Sequence, residues 1–310
     1  MGVLDNTKFI LKVCELFYLK GMSQKEISAH LGISRPQVSR IIAVANEKKL
    51  VSIHLNYENV QENALQNQLY DKYGIETLVF DTEDTKGNQQ YRLLAEKSAD
   101  YLSIEIKDGY SVGVMAGRTI RYLADSIPLS RHHGLKFVPL CGENSINGTE
   151  WYSNVIAQRM ASRSNGKYCF FTAPHVLKNA EAKAILMEEP NIKEMFNMIS
   201  HCDVCLVGIG GAVAESTGIR ASQLTDEDIS SLSSMNAKAN ICSTYLDEDG
   251  RVVDTELSDR ILGASILDIQ KSKVIALACG DEKVDAIKAV LKSRLIDVLV
   301  TSIDTAQKLL

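Results

Sequence analysis

The spacing of hydrophobic positions changes character near residue 75. Before it, apolar residues recur at helical intervals; after it, short apolar runs alternate with amphipathic stretches. Lys8–Lys20 sets Phe9, Ile10, Val13, Leu16 and Phe17 on one helical face, with Gly21 as the stop. Met22–Ile42 reads as two short helices around a turn at Gly32. Ser23 caps the first, Glu26 completes a capping box, and Ile27, Ala29 and Leu31 supply the buried side. Ser34 caps the second, Pro36 sits in its first turn, Gln37 takes the box position, and Val38, Ile41, Ile42 and Ala45 form its apolar stripe. Val51, Ile53 and Leu55 alternate with polar residues and predict a short strand, a wing or a connection to the body. Asn59–Tyr73, with Leu65 and Leu69 four apart, predicts a partly exposed linker helix suited to pairing with a second copy, and Gly74 ends it.

From Glu76 onward the alternation predicts a parallel sheet covered on both faces. Strands are expected at Thr77–Phe80, Tyr110–Val114, Leu135–Leu140, Tyr168–Thr172, Asp203–Val207, Asn240–Leu246, Lys273–Ala278 and Val298–Thr301. Helices are expected at Gln89–Ile104, from Arg118 through Ala124, at Asn154–Ser162, after Gly280 to Ser293, and after Ser302-Ile303-Asp304 to the end of the chain. The stretch from Ala173 to Cys202 receives no element.

Charge changes the picture of the first sixth of the chain. The net charge is −5, but residues 1–55 hold eight Lys and Arg against four Asp and Glu, leaving the rest acidic. The positive footprint that phosphate contacts require is therefore confined to the helix-turn-helix head. Displayed on it are Ser23, Gln24 and Lys25 at the first helix and Ser34, Arg35, Gln37, Ser39 and Arg40 at the second, the element that enters a DNA major groove. Lys48 and Lys49 fit either phosphate contacts or a solvated helix end.

No signal peptide or membrane-spanning run is legible, so a cytoplasmic protein is expected. Seven cysteines, an odd number spread along the chain, suit reduced thiols rather than a disulfide framework. Cys202 and Cys205 have redox-motif spacing but open an apolar strand and read as a buried pair. Asn147-Gly148-Thr149 reads as a loop.

Several body strands end in small residues before a helix: Gly117-Arg118-Thr119, Cys141-Gly142, Gly208-Ile209-Gly210-Gly211 and Gly280. Ligands of open α/β sheets bind at such exits, where glycines admit an anion to backbone N–H groups and helix N-termini favour negative charge. Arg118, Thr119 and Lys283 add donors, so a phosphate-sized pocket is expected. Each residue also has a plainer reading: a salt-bridged Arg118, a capping Thr119, a solvated Lys283. Asp247 could accept sugar hydroxyls or shape the Asp249-Gly250 turn. A dinucleotide is disfavoured because Val213 stands where GxGxxG needs Gly or Ala. The chain shows neither GxSxG nor HExxH, and no cofactor or metal is expected. His132 and His133 read as an exposed loop; Glu188-Glu189 and Asp226-Glu227-Asp228 read as solvated helix surface or caps.

With these motifs in order, the chain resembles the SorC-type (sugar-binding, DeoR-like) bacterial transcriptional regulators. The resemblance is carried by Val112–Thr119, Val138–Gly142, Asp203–Gly210, Tyr245–Gly250, Val274–Lys283 with Ala286-Ile287, and Leu299–Ala306. It implies an N-terminal winged helix-turn-helix head over residues 1–56, a linker or oligomerisation helix over 57–74, and a Rossmann-like α/β effector domain over 75–310, related to the phosphosugar isomerase and CoA-transferase fold. It also implies a dimer or tetramer that binds operator DNA and represses a carbohydrate-utilisation operon under control of a phosphorylated sugar or polyol. Gly117, Arg118, Thr119 and Lys283 would take the phosphate and Asp247 the sugar hydroxyls, while the strand-exit glycines Gly142, Gly208 and Gly280 complete the expected effector site. Met115-Ala116 and Cys279-Gly280 depart from the family's usual Gly- or Trp-rich start and Gly-Gly pair, so a bulkier floor is expected; Ser302-Ile303-Asp304 departs from the Thr-Asp pairing, so no acidic contact is counted there. Cys141 offers no amine for imine formation, so binding should be non-covalent. The rival reading is a sugar-phosphate isomerase fused to the head, with Asp247 as its one candidate base.

Overall fold

The computed structural model describes residues 6–51, 60–143, 150–212 and 224–310. The chain forms two compact units, residues 1–58 and 59–310.

In the first unit α1 (Thr7–Cys14) runs into a π-helical turn, Glu15–Leu19. There follow α2 (Gln24–Leu31) and α3 (Arg35–Glu47). Both capping boxes form, Ser23 with Glu26 and Ser34 with Gln37, and Gly32 terminates α2 in the left-handed region at φ 65°. Ile10, Val13, Leu16, Ile27, Val38, Ile41, Ile42 and Ala45 make the core. Ala29 is exposed, contrary to expectation, because a residue two positions from Ile27 points to the far side of the helix; Leu31, four positions on, is half-buried. The strand expected over Val51, Ile53 and Leu55 lies mostly outside the described residues, as does the Asn147-Gly148-Thr149 loop.

The second unit opens with α4 (Val60–Tyr73), β1 (Glu76–Phe80), α5 (Gly87–Glu105), β2 (Ser111–Val114), α6 (Arg118–Ser126) and β3 (Lys136–Pro139). It continues through α7 (Ser153–Ser164), β4 (Lys167–Tyr168), α8 (Ala180–Glu188), α9 (Pro190–Ile199), β5 (Val204–Gly211) and α10 (Asp226–Ser234). A hairpin of β6 (Ala237–Ile241), β7 (Thr244–Asp247) and β8 (Val252–Val253) precedes β9 (Lys273–Leu277), α11 (Val284–Ser293), β10 (Val298–Ser302) and α12 (Ile303–Leu309). The parallel strands stand in the order β1-β10-β9-β5-β2-β3-β4. Period-two alternation divides their side chains: Val112, Leu206, Ile275 and Val300 face α5, α6 and α7, while Cys205, Val274, Ala276 and Leu299 face α4, α9, α11 and α12.

Three expectations change. The segment Asn240–Leu246 is not one strand: it turns at Cys242, whose φ is 53°, a turn residue without a turn signature. The strand expected to end at Val207 runs on through Gly208-Ile209-Gly210-Gly211, paired with β9 at Gly208 and with β6 from Ile209. Of the expected Tyr168–Thr172 strand only Tyr168 pairs, together with Lys167 before it, at the sheet edge. Helices α8 and α9 fill the stretch that showed no pattern, and α8 buries no residue at all, so it carries no apolar stripe to read.

Helix α4 is docked in its own unit. Leu65 and Leu69 sit in the core beside Val79, Gln66 accepts the Val79 N–H, and Lys72 and Tyr73 bond the Leu309 carbonyl at 3.0 and 2.9 Å. That leucine pair is thus spent and not free to pair with a second copy.

Candidate functional site

The first functional surface is α3. Arg35, Gln37, Ser39 and Arg40 are exposed on α3, flanking or turned away from the buried Val38, Ile41, Ile42 and Ala45 stripe. Gln37 is partly committed, since its side-chain oxygen accepts from Ser34 N at 2.9 Å. Ser23 and Ser34 likewise spend their hydroxyls on capping. Lys25 is exposed and Gln24 half-exposed at the start of α2. Arg35, Ser39 and Arg40 therefore remain as the side chains of α3 with no structural duty in the head.

The second surface lies at the carboxyl edge of the sheet. From β2 the chain moves outward through β3 to β4, and from β5 it moves the other way through β9 to β10. The direction reverses between β2 and β5, and a crevice opens at such a switch point. The exits of β9, β5 and β2 are adjacent there. They bring together Gly117, Arg118 and Thr119 after β2, Gly208 on β5, and Gly280 and Lys283 after β9. The first turn of α6 has no side-chain cap, which leaves its N–H groups to other acceptors.

At the heart of the crevice is a side chain the sequence did not single out. Tyr91 of α5 is 3% exposed, and both expected cations lie over its ring, the Lys283 ammonium 4.6 Å and the Arg118 guanidinium 5.1 Å from the centroid. Its hydroxyl donates to the Glu282 carboxylate, and with burial this holds the phenol well above its ordinary range. Arg118 also donates to Asn88 Oδ1 at 2.7 Å. Among the described residues no carboxylate stands within ion-pair distance of Arg118 or Lys283, and Lys283 has no hydrogen-bond acceptor. Burial chiefly, with a smaller push from Arg118, keeps Lys283 below the usual lysine pKa. A half-buried ammonium without an acceptor is a place where an anion is favoured. The only hint of Tyr91 in the sequence was its place on the apolar side of an amphipathic helix.

The turn that carries Lys283 is held from below. Gly280, at φ 112°, donates its N–H to Thr305 Oγ1 at 2.9 Å, Thr305 bonds Ser302, and Gln90 donates to Ser302. Asp281 pairs with Lys308. Ser302 caps α12 as the chain enters it.

Two predicted residues lie apart from this cluster. Asp247 accepts from Asp249 N and Arg251 N, both at 2.9 Å, and shapes the hairpin turn. That turn packs on Ala289 and Ser293, so it is separated from Lys283 by the length of α11, about 15 Å. Gly142 is a packing glycine: an added Cβ would stand 1.9 Å from the Ala173 carbonyl oxygen. Cys141 is buried and its thiol is pushed up to about 11 by burial, an inert group. Cys202 and Cys205 are buried as expected, and the hydrogen bond between the two thiols, with burial, raises Cys202. Asp228 is not solvated surface: it closes a capping box with Thr225 and pairs with Arg260. Among the described residues there is no group of acidic, His and Cys side chains able to hold a metal, and no helix is long and apolar enough to cross a membrane.

Beside Gly142, the segment after Ala173 carries His175, whose Nε2 lies 3.1 Å from Ser243 Oγ. Burial lowers its pKa from 6.5 to about 4. The unfolded chain binds this proton between those values, so stability falls as pH drops through that window. At pH 4.5 the cost is about 2 kcal/mol, or roughly 4–8 °C in a unit of this size. H175Q should lessen the fall in melting temperature between pH 7 and 4.5 by that amount; an unchanged fall would show that His175 takes up its proton without opening the fold.

A sugar-binding-domain family model matches residues 57–310, and a helix-turn-helix domain model matches residues 15–54. The sorbitol operon regulator of Klebsiella pneumoniae is 27% identical over 99% of this chain and 98% of its own. The deoxyribonucleoside regulator of Bacillus subtilis is 28% identical over 98% of each. The crystal structure of full-length SorC from Klebsiella pneumoniae superimposes with a TM-score of 0.75 at 26% identity, covering 98% of both chains. The chain belongs to the sugar-binding-domain family of SorC-type transcriptional regulators, and its relatives are regulators, not enzymes. The isomerase alternative loses its support, and Asp247, its one candidate base, is committed to a turn.

Proposed function

We propose that this regulator of the SorC-type family represses a carbohydrate-utilisation operon and is controlled by a phosphorylated sugar or polyol bound non-covalently at the β2, β5 and β9 exits. The observation that carries this reading is the pair of cations on Tyr91, Arg118 and Lys283, with no carboxylate partner among the described residues and beside the uncapped first turn of α6. Phosphate is the group that matches two cations and a helix N-terminus. Gly117, Thr119, Gly208 and Gly280 border the same place, and Gly142 supports the neighbouring exit by close packing. The named targets of the relatives, a sorbitol operon and deoxyribonucleosides, favour a carbohydrate over other phosphates.

Two or more subunits act together in this reading. A head with an excess of four positive charges is a modest electrostatic footprint, so affinity comes from heads held at fixed spacing on a palindromic operator. The effector shifts that arrangement. Support for a link lies in the bond from Gly280 to Thr305 on α12, and in the docking of α12 on α4, which follows the head in sequence. The test is a thermal-shift screen of sugars and polyols with and without phosphate, followed by operator binding with each hit. Phosphorylated compounds should raise the melting temperature and change DNA affinity. Shifts from unphosphorylated sugars alone would overturn the phosphate assignment.

A further inference from the structure

Glu282 stands where a bound anion would compete with it. Its carboxylate accepts a hydrogen bond from the Tyr91 hydroxyl, and it lies directly on Gly280: a Cβ built there would be 2.6 and 2.7 Å from the two carboxylate oxygens. The space beside the glycine turn, which an incoming anion needs, is thus taken by a side chain of the same charge. The side chain is exposed and has no ion-pair partner among the described residues, so the Tyr91 hydroxyl is what tethers it. The two cations over the Tyr91 ring are not ion-paired with Glu282, though Lys283 feels its field.

We propose that Glu282 is the built-in counter-ion of this pocket, tethered by Tyr91 and displaced when a phosphoryl group binds, so that it sets the concentration at which the regulator responds. This rests on the phosphate reading above and adds a residue that opposes binding. A neutral sugar has no charge with which to drive Glu282 off Gly280, whereas a phosphoryl group repels it and supplies Arg118 and Lys283 with a better partner. The same pocket therefore rejects the unphosphorylated form twice, by failing to match the cations and by failing to clear the carboxylate. Tyr91 is a positioning residue in this scheme: its ring places the cations and its hydroxyl places their competitor.

The experiment is calorimetric titration of the full-length protein with inorganic phosphate and with a sugar phosphate. E282Q keeps the shape and removes the charge, and should tighten phosphate binding roughly tenfold, the worth of one removed opposing charge. Y91F keeps the ring and removes the tether, and should tighten it in the same direction. The double variant should gain no more than E282Q alone, because both act through one carboxylate. Unchanged or weaker phosphate binding in E282Q overturns the proposal. So does tightening that adds fully in the double variant. A loss confined to the sugar phosphate would instead make Glu282 a hydroxyl acceptor and equally overturn it. K283A separates the two levels. If it abolishes phosphate binding while E282Q gains nothing, the pocket stands and the counter-ion role falls; if it changes nothing, the pocket itself falls.

Discussion

Alanine at Lys283 or at Arg118 should abolish the rise in melting temperature produced by sugar phosphates while leaving operator binding by the ligand-free protein at its original affinity. Each cation contributes a charge-assisted contact worth about 1.5–3 kcal/mol, so losing one weakens binding by roughly 10- to 100-fold. At a ligand concentration that is about 100 times the dissociation constant, stabilisation is about 2.7 kcal/mol; a 100-fold weaker site retains only about 0.4 kcal/mol. Lys283 should show the larger loss, because among the described residues its half-buried ammonium meets the Tyr91 ring and no acceptor, whereas Arg118 also holds Asn88. The ligand-free K283A protein should melt at the same temperature or higher. Burial holds the Lys283 pKa down, which means that the fold bears a cost for keeping this charge in place, and removing the side chain relieves it. Differential scanning fluorimetry with and without the sugar phosphate, beside fluorescence anisotropy on operator DNA, measures all three quantities. A full thermal shift in both variants would remove the pocket.

Arg40→Ala should cost about 1–3 kcal/mol in operator binding and relax discrimination at one base pair in each half-site. Arg40 is exposed on α3, and the head makes no use of its guanidinium. Substitution therefore leaves Val38, Ile41, Ile42 and Ala45 packed, and the head should remain folded. Arg35 shares that face at the first position of the helix. Gln37→Ala behaves differently, because its oxygen accepts from Ser34 N; part of any loss there is loss of the cap and appears as a lower melting temperature. Binding measured on a set of single-base operator variants distinguishes the roles. Weakening that is equal on every sequence, with a shallower dependence on salt, would place Arg40 on phosphate and leave base reading to its neighbours.

The head was legible almost residue by residue. Ser23 with Glu26, Gly32, and Ser34 with Gln37 specify two helices and the turn between them within a few positions of chain, and all form as expected. Ala29 was misplaced only because spacing two apart was counted toward the buried side. In the body, runs such as Lys273–Leu277 and Val298–Ser302 announce themselves as buried strands, since both faces are covered and both sets of side chains must be apolar. The elements that escaped were those without such a signal: α8 with no buried face, and the β6–β7 hairpin, whose turn at Cys242 interrupts no apolar pattern.

For the site, the chain alone marks which residues can bind an anion, because glycines at strand exits and the cations after them are local features. It does not say which exits are neighbours. Strand order decides that by setting β9, β5 and β2 side by side, and the hydrogen bonds that fix this order join residues far apart along the chain. Tyr91 and Glu282 are 191 positions apart, and no periodicity within either segment announces their contact. Packing likewise drew Asp247 into its own turn against α11 and spent Leu65 and Leu69 on the body core. Caps, turns and periods arise from interactions within one or two turns of chain and are written where they act. A pocket arises from long-range pairing, and only the folded sheet brings its residues together.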